Sequence, residues 1–416
     1  MKLRRDLLAS LVVFLVAVPL SLGIALASGA PVIAGLIGAV AGGIITGLLA
    51  GSPLQVSGPA AGLTVVVFGL VQQLGWETVC LATACAGLVQ LLLGYLKVAR
   101  GTLVIAPSVV HGMLAGIGIS IALAQLHVLL GGSPASSPIA NLLALPARVG
   151  GFSPSAAILG VVTIAVLILW KKLPWAGLRA VPAPLVAVVI GTVVSLVAKM
   201  DVPRVDLPET LAFTQLKLPA EWGGFIVAVL TLAVIASIES LLCAVATDKL
   251  HSGPRSDLDK ELTAQGAGNL VSGLLGGLPI TGVIVRSSAN INAGAVSRWS
   301  AVFHGIWILL CVLFLGSMIE SIPLAVLAGL LVHVGINLVN LHHVRELTVH
   351  NEVRVYWATV IGVTCVNLLA GVGIGVAVSV FFAIRRLSSV KVEKRQDGDI
   401  WKVAIRGTLT FACVPK

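Results

Sequence analysis

The chain has 416 residues, of which 57% are hydrophobic and 11% charged, and its mean hydropathy is +1.05. Soluble domains contain about 25% charged residues, so this composition excludes a water-soluble globule. The formal net charge of +10 comes from basic residues clustered between long apolar stretches, which indicates membrane orientation and argues against nucleic-acid binding.

The apolar stretches predict fourteen membrane helices in the lipid bilayer. Residues 7–76 contain no Asp, Glu, Lys or Arg, which exceeds two crossings at about 20 residues each. Both termini are expected in the cytoplasm, because the opposite loops keep only Arg148, Arg204 and Lys217. The predicted segments are 8–27, 32–50, 59–73, 78–96, 107–130, 152–170, 181–199, 222–246, 262–277, 283–295, 299–316, 323–340, 354–369 and 371–385. The last two form a tight pair, broken at Gly371, Gly373 and Gly375.

An internal repeat organises these segments. Thr46–Pro53 recurs 226 residues later as Ser272–Pro279, with five of eight positions identical. Each copy ends the second helix of a half and precedes a short segment interrupted by Gly and Pro. An odd number of spans separates the copies, so we predict a 7+7 inverted repeat with short broken helices at spans 3 and 10. In inverted repeats such helices mark a binding site near the midplane.

The two broken segments, Gln55–Thr64 and Pro279–Ser288, are predicted to meet. A short helix that follows Gly and Pro has free backbone N–H groups at its N-terminus, where the helix dipole favours an anion. The alternative is that Gly and Pro only allow close helix packing. Within these segments Ser57, Thr64 and Ser287 carry hydroxyl groups that suit an anion.

Two charged residues are predicted deep in the spans. Arg286 should either bind an anion, pair with an acid or reach the interface. Glu239, on span 8, could hold Na⁺, take up a proton or neutralise Arg286. Both roles of Glu239 as a coupling group and as a structural partner stay open at this point.

Other residues carry weaker signals. Pro19 with Ser21 and Gly23 could unwind the first helix beside the anion site, although proline kinks are usually structural. We interpret the six cysteines as packing residues, and three histidines as helix contacts: His111, His304 and His333. The sequence shows no metal motif, nucleotide loop or nucleophile with a base. We therefore expect no metal, no cofactor beyond a co-transported ion, and movement of a substrate without its chemical conversion.

The composition changes after residue 387. Residues 388–416 are rich in charge, and 391–393 and 401–414 read as two strands joined by a turn at Asp397–Asp399. A lone hairpin is marginal in water. We expect it to be the start of a larger cytoplasmic domain.

These residues resemble the SulP (sulfate permease) family of anion transporters. The similarity rests on Ser57–Thr64 and Gly276–Asn290 and covers the chain from about residue 5. The resemblance implies an all-α membrane domain over 1–387, with core and gate parts that move like an elevator, and a truncated α/β STAS-like domain over 388–416. The bacterial branch it resembles is often fused to carbonic anhydrase and is presumed to carry bicarbonate.

The family likeness also implies roles for individual residues. Ala60 and Ala61 with five residues of span 10 would line the anion site: Gly282, Val283, Ile284, Val285 and Arg286. Glu239 would be the acid of span 8. Cys243 and Ile284 stand where sodium-coupled cyanobacterial members have Thr hydroxyls, which favours H⁺ over Na⁺, because Na⁺ needs hard oxygen ligands. Those members lack an Arg at position 286, whereas many sulfate, chloride and oxalate carriers have one.

The sequence thus predicts a secondary transporter of a small inorganic anion in the bacterial inner membrane, driven by Na⁺ or H⁺. Bicarbonate is the first expectation and sulfate the second. A nucleobase permease of the same fold, a passive anion channel and a non-transporting sensor are the alternatives. The family resemblance suggests a homodimer.

Overall fold

The computed structural model describes residues 2–99, 106–135, 137–170, 172, 174, 181–207, 215–339, 352–366, 368–387, 391–397 and 400–406. These residues form two units. The first comprises Met1–Val104 and Leu114–Asn340, and the second comprises Ile105–Met113 and Leu341–Lys416.

The chain is mostly helical. The helices are α1 (Lys2–Ala27), α2 (Val32–Leu49, with a π-helical turn over Gly42–Thr46), α3 (Thr64–Leu74), α4 (Trp76–Tyr95), α5 (Pro107–Leu129), α6 (Pro138–Gly150), α7 (Pro154–Trp170), α8 (Ala183–Val197), α9 (Trp222–Asp248), α10 (Leu258–Leu274), α11 (Ile284–Asn292), α12 (Trp299–Phe314), α13 (Gly316–Glu320), α14 (Leu324–Leu338), α15 (Val353–Cys365) and α16 (Leu368–Leu387).

Five of the described helices are long and apolar enough to cross a bilayer: α1, α2, α4, α5 and α9. The pair α6 and α7, bent by 118°, could add a sixth, and several apolar helices are shorter. Each of the fourteen predicted segments overlaps at least one helix. The chain is therefore a multi-pass membrane protein, and the count of fourteen crossings stays a prediction.

Two details differ from the sequence prediction. Helix α6 was not predicted, because its apolar residues lie on one side of a helix that also carries Asn141 and Arg148. The break near the C-terminus falls between Cys365 and Leu368, and not at the three glycines. Gly371 instead lies against the backbone of Gly362 and Val363, so the absence of a side chain lets α15 and α16 pack closely.

Two short strands interrupt the helices of the first unit. Strand β1 (Ser57–Pro59) follows α2, and strand β2 (Ile280–Gly282) follows α10. They pair antiparallel, with Ser57 opposite Gly282 and Pro59 opposite Ile280. Strand β2 comes directly after the second copy of the repeated octapeptide, and β1 begins three residues after the first, so the two copies lead into the same buried ribbon.

Helix α10 packs along α4 through small residues. Gly87 of α4 lies against the backbone of Leu270, and Gly266 of α10 lies against that of Leu91. Such contacts let two helix backbones approach closely, as is common in membrane proteins. This packing fixes the position of α10, and a polar face of α10 holds both strands.

The second unit contains α15, α16 and a hairpin. Strand β3 (Lys391–Asp397) pairs antiparallel with β4 (Ile400–Arg406), and Asp397 lies opposite Ile400. The predicted hairpin is confirmed over these residues, with a longer first strand than expected. The predicted extension over 407–414 lies outside the described residues.

Candidate functional site

A helix N-terminus follows each strand of the ribbon of β1 and β2. After β1, Ala60 is extended, a 3₁₀ turn covers Ala61–Leu63, and α3 begins at Thr64. After β2, Val283 is extended and α11 begins at Ile284. Neither N-terminus has a side-chain cap. Backbone N–H groups at such ends, together with the helix dipole, attract anions.

The predicted site residues gather around this ribbon with different exposure. Seven of them are buried: Ser57, Ala60, Thr64, Gly282, Arg286, Ser287 and Cys243. Partly exposed are Ala61, Val283, Ile284 and Glu239, and the side chain of Val285 is 49% exposed. The partly exposed residues therefore lie at Ala61, at the start of α11 and at Glu239.

Arg286 is fully buried. Its Nη2 donates to Ser21 Oγ at 2.9 Å and to the Pro59 carbonyl at 3.3 Å. Nη1 lies against Gly58, where any Cβ would clash. Among the described residues neither Nε nor Nη1 has a hydrogen-bond partner. The guanidinium thus places a positive charge, with donors to spare, at the ribbon.

The structure contradicts one interpretation of this charge. In the part of the chain that is described, Glu239 does not pair with Arg286, and the one ion pair joins His251 to Asp248. Glu239 instead packs against the 3₁₀ turn, where a Cβ on Gly62 would lie 2.6 Å from Oε2. That oxygen has no hydrogen-bond partner within the described residues. The two charged residues are therefore separate features of the site.

Ser21 reaches the site from a continuous helix. Helix α1 runs unbroken through Pro19, so the predicted unwinding there is wrong. A proline removes one backbone hydrogen bond without ending a helix that neighbours support. The Ser21 hydroxyl of this helix accepts the hydrogen bond from Arg286 Nη2.

Cys243 and Ser287 join α9 to α11 near the second N-terminus. The Ser287 hydroxyl accepts from the Val56 backbone N–H at 3.0 Å, and the Cys243 sulfur lies 3.9 Å from that hydroxyl and 3.8 Å from Thr247 Oγ1. Ser287 therefore supports the chain before β1. Its hydroxyl serves the architecture of the ribbon.

The sequence analysis missed a polar face on α10. Glu261, Gln265 and Asn269 are spaced four apart, so they lie on one side of the helix, and each is at most 1% exposed. The spacing was visible in the sequence as a polar period within an apolar region. A fourth polar residue, Ser272, donates from Oγ to the Leu278 carbonyl at 2.6 Å.

This polar face holds both strands. The Glu261 carboxyl accepts from the backbone N–H groups of Gly51 and Ser52, each at 2.9 Å. It also accepts from the side-chain amides of Gln55 and Gln265, each at 2.8 Å. Those contacts anchor the segment that leads into β1.

Gln265 and Asn269 complete the anchoring. Gln265 Nε2 lies 2.6 Å from Ser57 Oγ in β1. Asn269 accepts from the Ile280 N–H at 2.7 Å and donates to the Ile280 carbonyl at 2.9 Å. One helix face thereby sets the position of both strands and of the two helix N-termini that follow.

His304 of α12 is another buried polar residue. It is fully buried, and neither ring nitrogen has a hydrogen-bond partner within the described residues. Its expected role as a helix-contact residue remains a prediction.

Comparison with known proteins identifies this architecture. The model of the sulfate permease family matches residues 3–390. The chain belongs to the sulfate permease family.

Two relatives in the sulfate permease family are named for different anions. YvdB of Bacillus subtilis (strain 168), named for sulfate transport, is 31% identical over 99% of this chain and 81% of its own length. The bicarbonate transporter BicA of Picosynechococcus sp. is 30% identical over 95% of this chain and 72% of its own.

Solved structures support the same assignment. The transmembrane domain of a cyanobacterial bicarbonate transporter BicA superposes with a TM-score of 0.81 at 28% identity, covering 90% of this chain and 98% of that one. SLC26A9 superposes with a TM-score of 0.82 at 17% identity, covering 96% and 68%, and shows the fold alone. This sulfate permease family member is an anion transporter of the membrane, and its relatives are transporters and not enzymes.

Proposed function

We propose that this protein is a secondary active transporter of a small inorganic anion, with bicarbonate as substrate and sulfate as the alternative. The observation that carries the proposal is Arg286, fully buried, without an ion-pair partner in the described residues, behind two uncapped helix N-termini. Burying an unpaired charge costs several kcal/mol, and an anion at the ribbon would offset that cost.

Arg286 and the backbone N–H groups of the helix starts act on the anion in different ways. Since the guanidinium is inaccessible in this structure, we infer that Arg286 sets a positive potential, while N–H groups of the two helix starts contact the anion. A unit charge about 8 Å away at an effective dielectric of 20 contributes about 2 kcal/mol. That is enough to shift anion affinity by more than tenfold.

A single basic residue matches the charge of a monoanion such as bicarbonate. In the two broken segments, Gln55–Thr64 and Pro279–Ser288, Arg286 is the one basic residue. A single positive charge balances a monoanion, whereas a dianion would leave one negative charge uncompensated in a region of low dielectric. Because relatives are named for bicarbonate and for sulfate, both anions are used in the uptake experiment.

Glu239 is proposed as the coupling group. Its carboxyl lies at the same helix start as the anion site, has no basic partner within ion-pair distance in the described chain, and leaves Oε2 without a hydrogen bond. A carboxyl group so placed can accept a proton when the anion arrives. The nearby sulfur of Cys243 is a poor ligand for Na⁺, which favours H⁺ as the coupled ion.

We also propose an inverted 7+7 repeat, with fourteen crossings, cytoplasmic termini and an elevator motion of a core past a gate. The two repeat copies lead into the antiparallel pair β1 and β2, as expected of halves in opposite orientation. The hairpin of β3 and β4 supports the start of a STAS-like domain. A homodimer in the bacterial inner membrane and an association with carbonic anhydrase complete the proposal.

The decisive experiment is uptake of labelled bicarbonate and of labelled sulfate by proteoliposomes. Na⁺ and pH gradients are imposed separately. We expect concentrative bicarbonate uptake with the pH gradient. If folded protein moves neither anion under either gradient, the proposal fails, and if anion flux simply follows its own gradient, the protein is a channel.

The variant Glu239→Gln separates coupling from movement. It removes the charge but keeps the shape, so we expect concentrative uptake to be lost while anion exchange continues. Glu221→Gln, at the exposed start of the same helix, is the matched control and should behave like the wild type. Equal loss of uptake and exchange in Glu239→Gln would contradict the coupling role.

A further inference from the structure

Helix α6 (Pro138–Gly150) is too short to cross the membrane and turns sharply against the helix that follows it. Its 13 residues extend about 20 Å at a rise of 1.5 Å per residue, whereas the hydrocarbon core of a bilayer is about 30 Å thick. The bend between α6 and α7 is 118°. If α7, which carries no charged residue, stands upright in the bilayer, α6 lies closer to the membrane plane than to its normal.

The apolar side chains of α6 form one stripe. Positions that are three or four residues apart lie on the same side of a helix. This spacing joins five residues, here called the apolar stripe: Ile139, Leu142, Leu143, Pro146 and Val149. All five are exposed, and Leu143 reaches 75%. The apolar stripe therefore faces away from the rest of the described chain.

The opposite side of α6 holds the helix to the protein through Asn141. This residue is buried, and its side chain accepts from the Ala135 N–H at 2.7 Å. The same side chain donates to the carbonyls of Ala135 and Ser137 at 3.0 and 3.1 Å. The Asn141 carbonyl oxygen lies 2.8 Å from His127 Nε2, near the end of α5. These contacts fix which side of α6 faces the protein.

Arg148 lies on the same side as Asn141, because the two residues are seven positions apart, close to two helical turns. It is the one charged residue in the sequence of α6. Its guanidinium group lies against Gly132, where a Cβ would be 2.6 Å from Arg148 Nε. Both polar residues thus turn toward the loop that precedes α6, and neither interrupts the apolar stripe.

This orientation is the reverse of that of a surface helix on a soluble protein. There the apolar side of the helix faces the core and the polar side faces water. In α6 the polar residue Asn141 makes the buried contacts and the apolar stripe stays outside. Contiguous exposed apolar surface marks a place of interaction, so the stripe requires an apolar partner.

The lipid bilayer is the partner that fits this stripe. The exposed apolar surface continues along α7, where four more side chains are exposed: Ile158, Val161, Ile168 and Leu169. A second copy of the chain fits less well, because a stable interface buries about 800 Å² on each partner, more than five side chains of one helix offer. Helices with one apolar side bind membranes by placing that side about 5–10 Å into the boundary between headgroups and acyl chains.

We propose that α6 is an interfacial helix that lies along one face of the membrane, with its apolar stripe in contact with lipid acyl chains. It is then no part of a membrane crossing, and α7 alone forms the predicted span 152–170. Through Asn141 and His127 the helix attaches the end of α5 to the lipid surface. This contact does not depend on which substrate the protein moves.

Fluorescence quenching in vesicles measures the contact. In a cysteine-free background, Leu143→Cys carries a bimane label, and the protein is reconstituted in phosphatidylcholine whose acyl chains are brominated near the headgroup or near the bilayer centre. We expect the bromines near the headgroup to quench this label more strongly. Val161→Cys, in the middle of α7, is the positive control and should be quenched more strongly by the bromines near the centre.

Arg148→Cys is the matched control on the other side of α6, and aqueous iodide should quench its label more than either brominated lipid. Equal quenching of the Leu143 and Arg148 labels by the central bromines would make α6 part of a crossing and overturn the proposal. Quenching of the Leu143 label by iodide alone would place the stripe in water, with the same consequence.

A label at Leu143 that neither quencher reaches, until the protein is diluted in lipid, would place the stripe against a second copy and also overturn the proposal. All three labelled positions are exposed, so the variants should fold. Elution of each variant as a single species in detergent checks this without a transport assay.

Discussion

Removing the Glu261 carboxyl is the most direct test of how the anion site is held. Glu261→Ala leaves the backbone N–H groups of Gly51 and Ser52 without an acceptor and releases the amides of Gln55 and Gln265. At about 1–3 kcal/mol for each buried backbone donor, the free energy of unfolding should fall by about 2–6 kcal/mol. Transport should fall with it, because β1 loses its anchor.

Glu261→Gln should be far milder. The Oε1 atoms of Gln55 and Gln265 have no partners within the described residues, so both amides can turn and accept from the new amide group. The four hydrogen bonds survive, and the loss is the extra strength of a charged acceptor, about 1 kcal/mol.

The assay is unfolding in mixed detergent micelles together with anion uptake. Glu320→Ala, which changes an exposed acid of α13, serves as the control. If the alanine and glutamine variants of Glu261 lose equal stability, or if the alanine variant is as stable as the control, the reasoning is refuted.

Two further predictions concern the charges at the ribbon. Arg286→Lys keeps the positive charge, so it should retain more anion affinity than Arg286→Ala, whose KM for the anion should rise by more than tenfold. Equal KM values for the two variants would contradict the role of the charge. The control is Arg298→Lys, which lies outside the site. Gly62→Ala places a methyl group against the Glu239 carboxyl, so uptake driven by the pH gradient should fall sharply, whereas Gly69→Ala, with open space around it, should transport normally. Wild-type coupling in Gly62→Ala would exclude a tight contact at Glu239.

Much of the site was predictable because its pieces are local in the chain. Gly and Pro around Ser57 and Thr281 mark the broken segments, and the repeated octapeptide marks where each begins. The same reading identified Arg286 and Glu239, since charged residues deep in apolar segments are rare and costly. The ribbon itself was not predicted, because two three-residue strands carry too little pattern to be recognised as strands.

The contacts of the charged residues could not be predicted. Arg286 bonds to Ser21, 265 residues away along the chain, and to the Pro59 carbonyl. One of the alternatives for these opposite charges was an ion pair, and the structure places the Glu239 carboxyl against Gly62 instead. Sequence spacing does not report which of several buried polar groups becomes the neighbour of a charge.

By itself, the sequence determined that this protein lies in a membrane, where its helices are and at which two places those helices break. These properties follow from hydropathy and backbone chemistry, which act over a few neighbouring residues. Only the tertiary structure decided that one face of α10, at Glu261, Gln265 and Asn269, holds both strands, and that the apolar stripe of α6 faces away from the rest of the described chain. The anchoring of the strands by α10 depends on hydrogen bonds between segments as many as 210 residues apart. Their geometry exists only once the helices have packed.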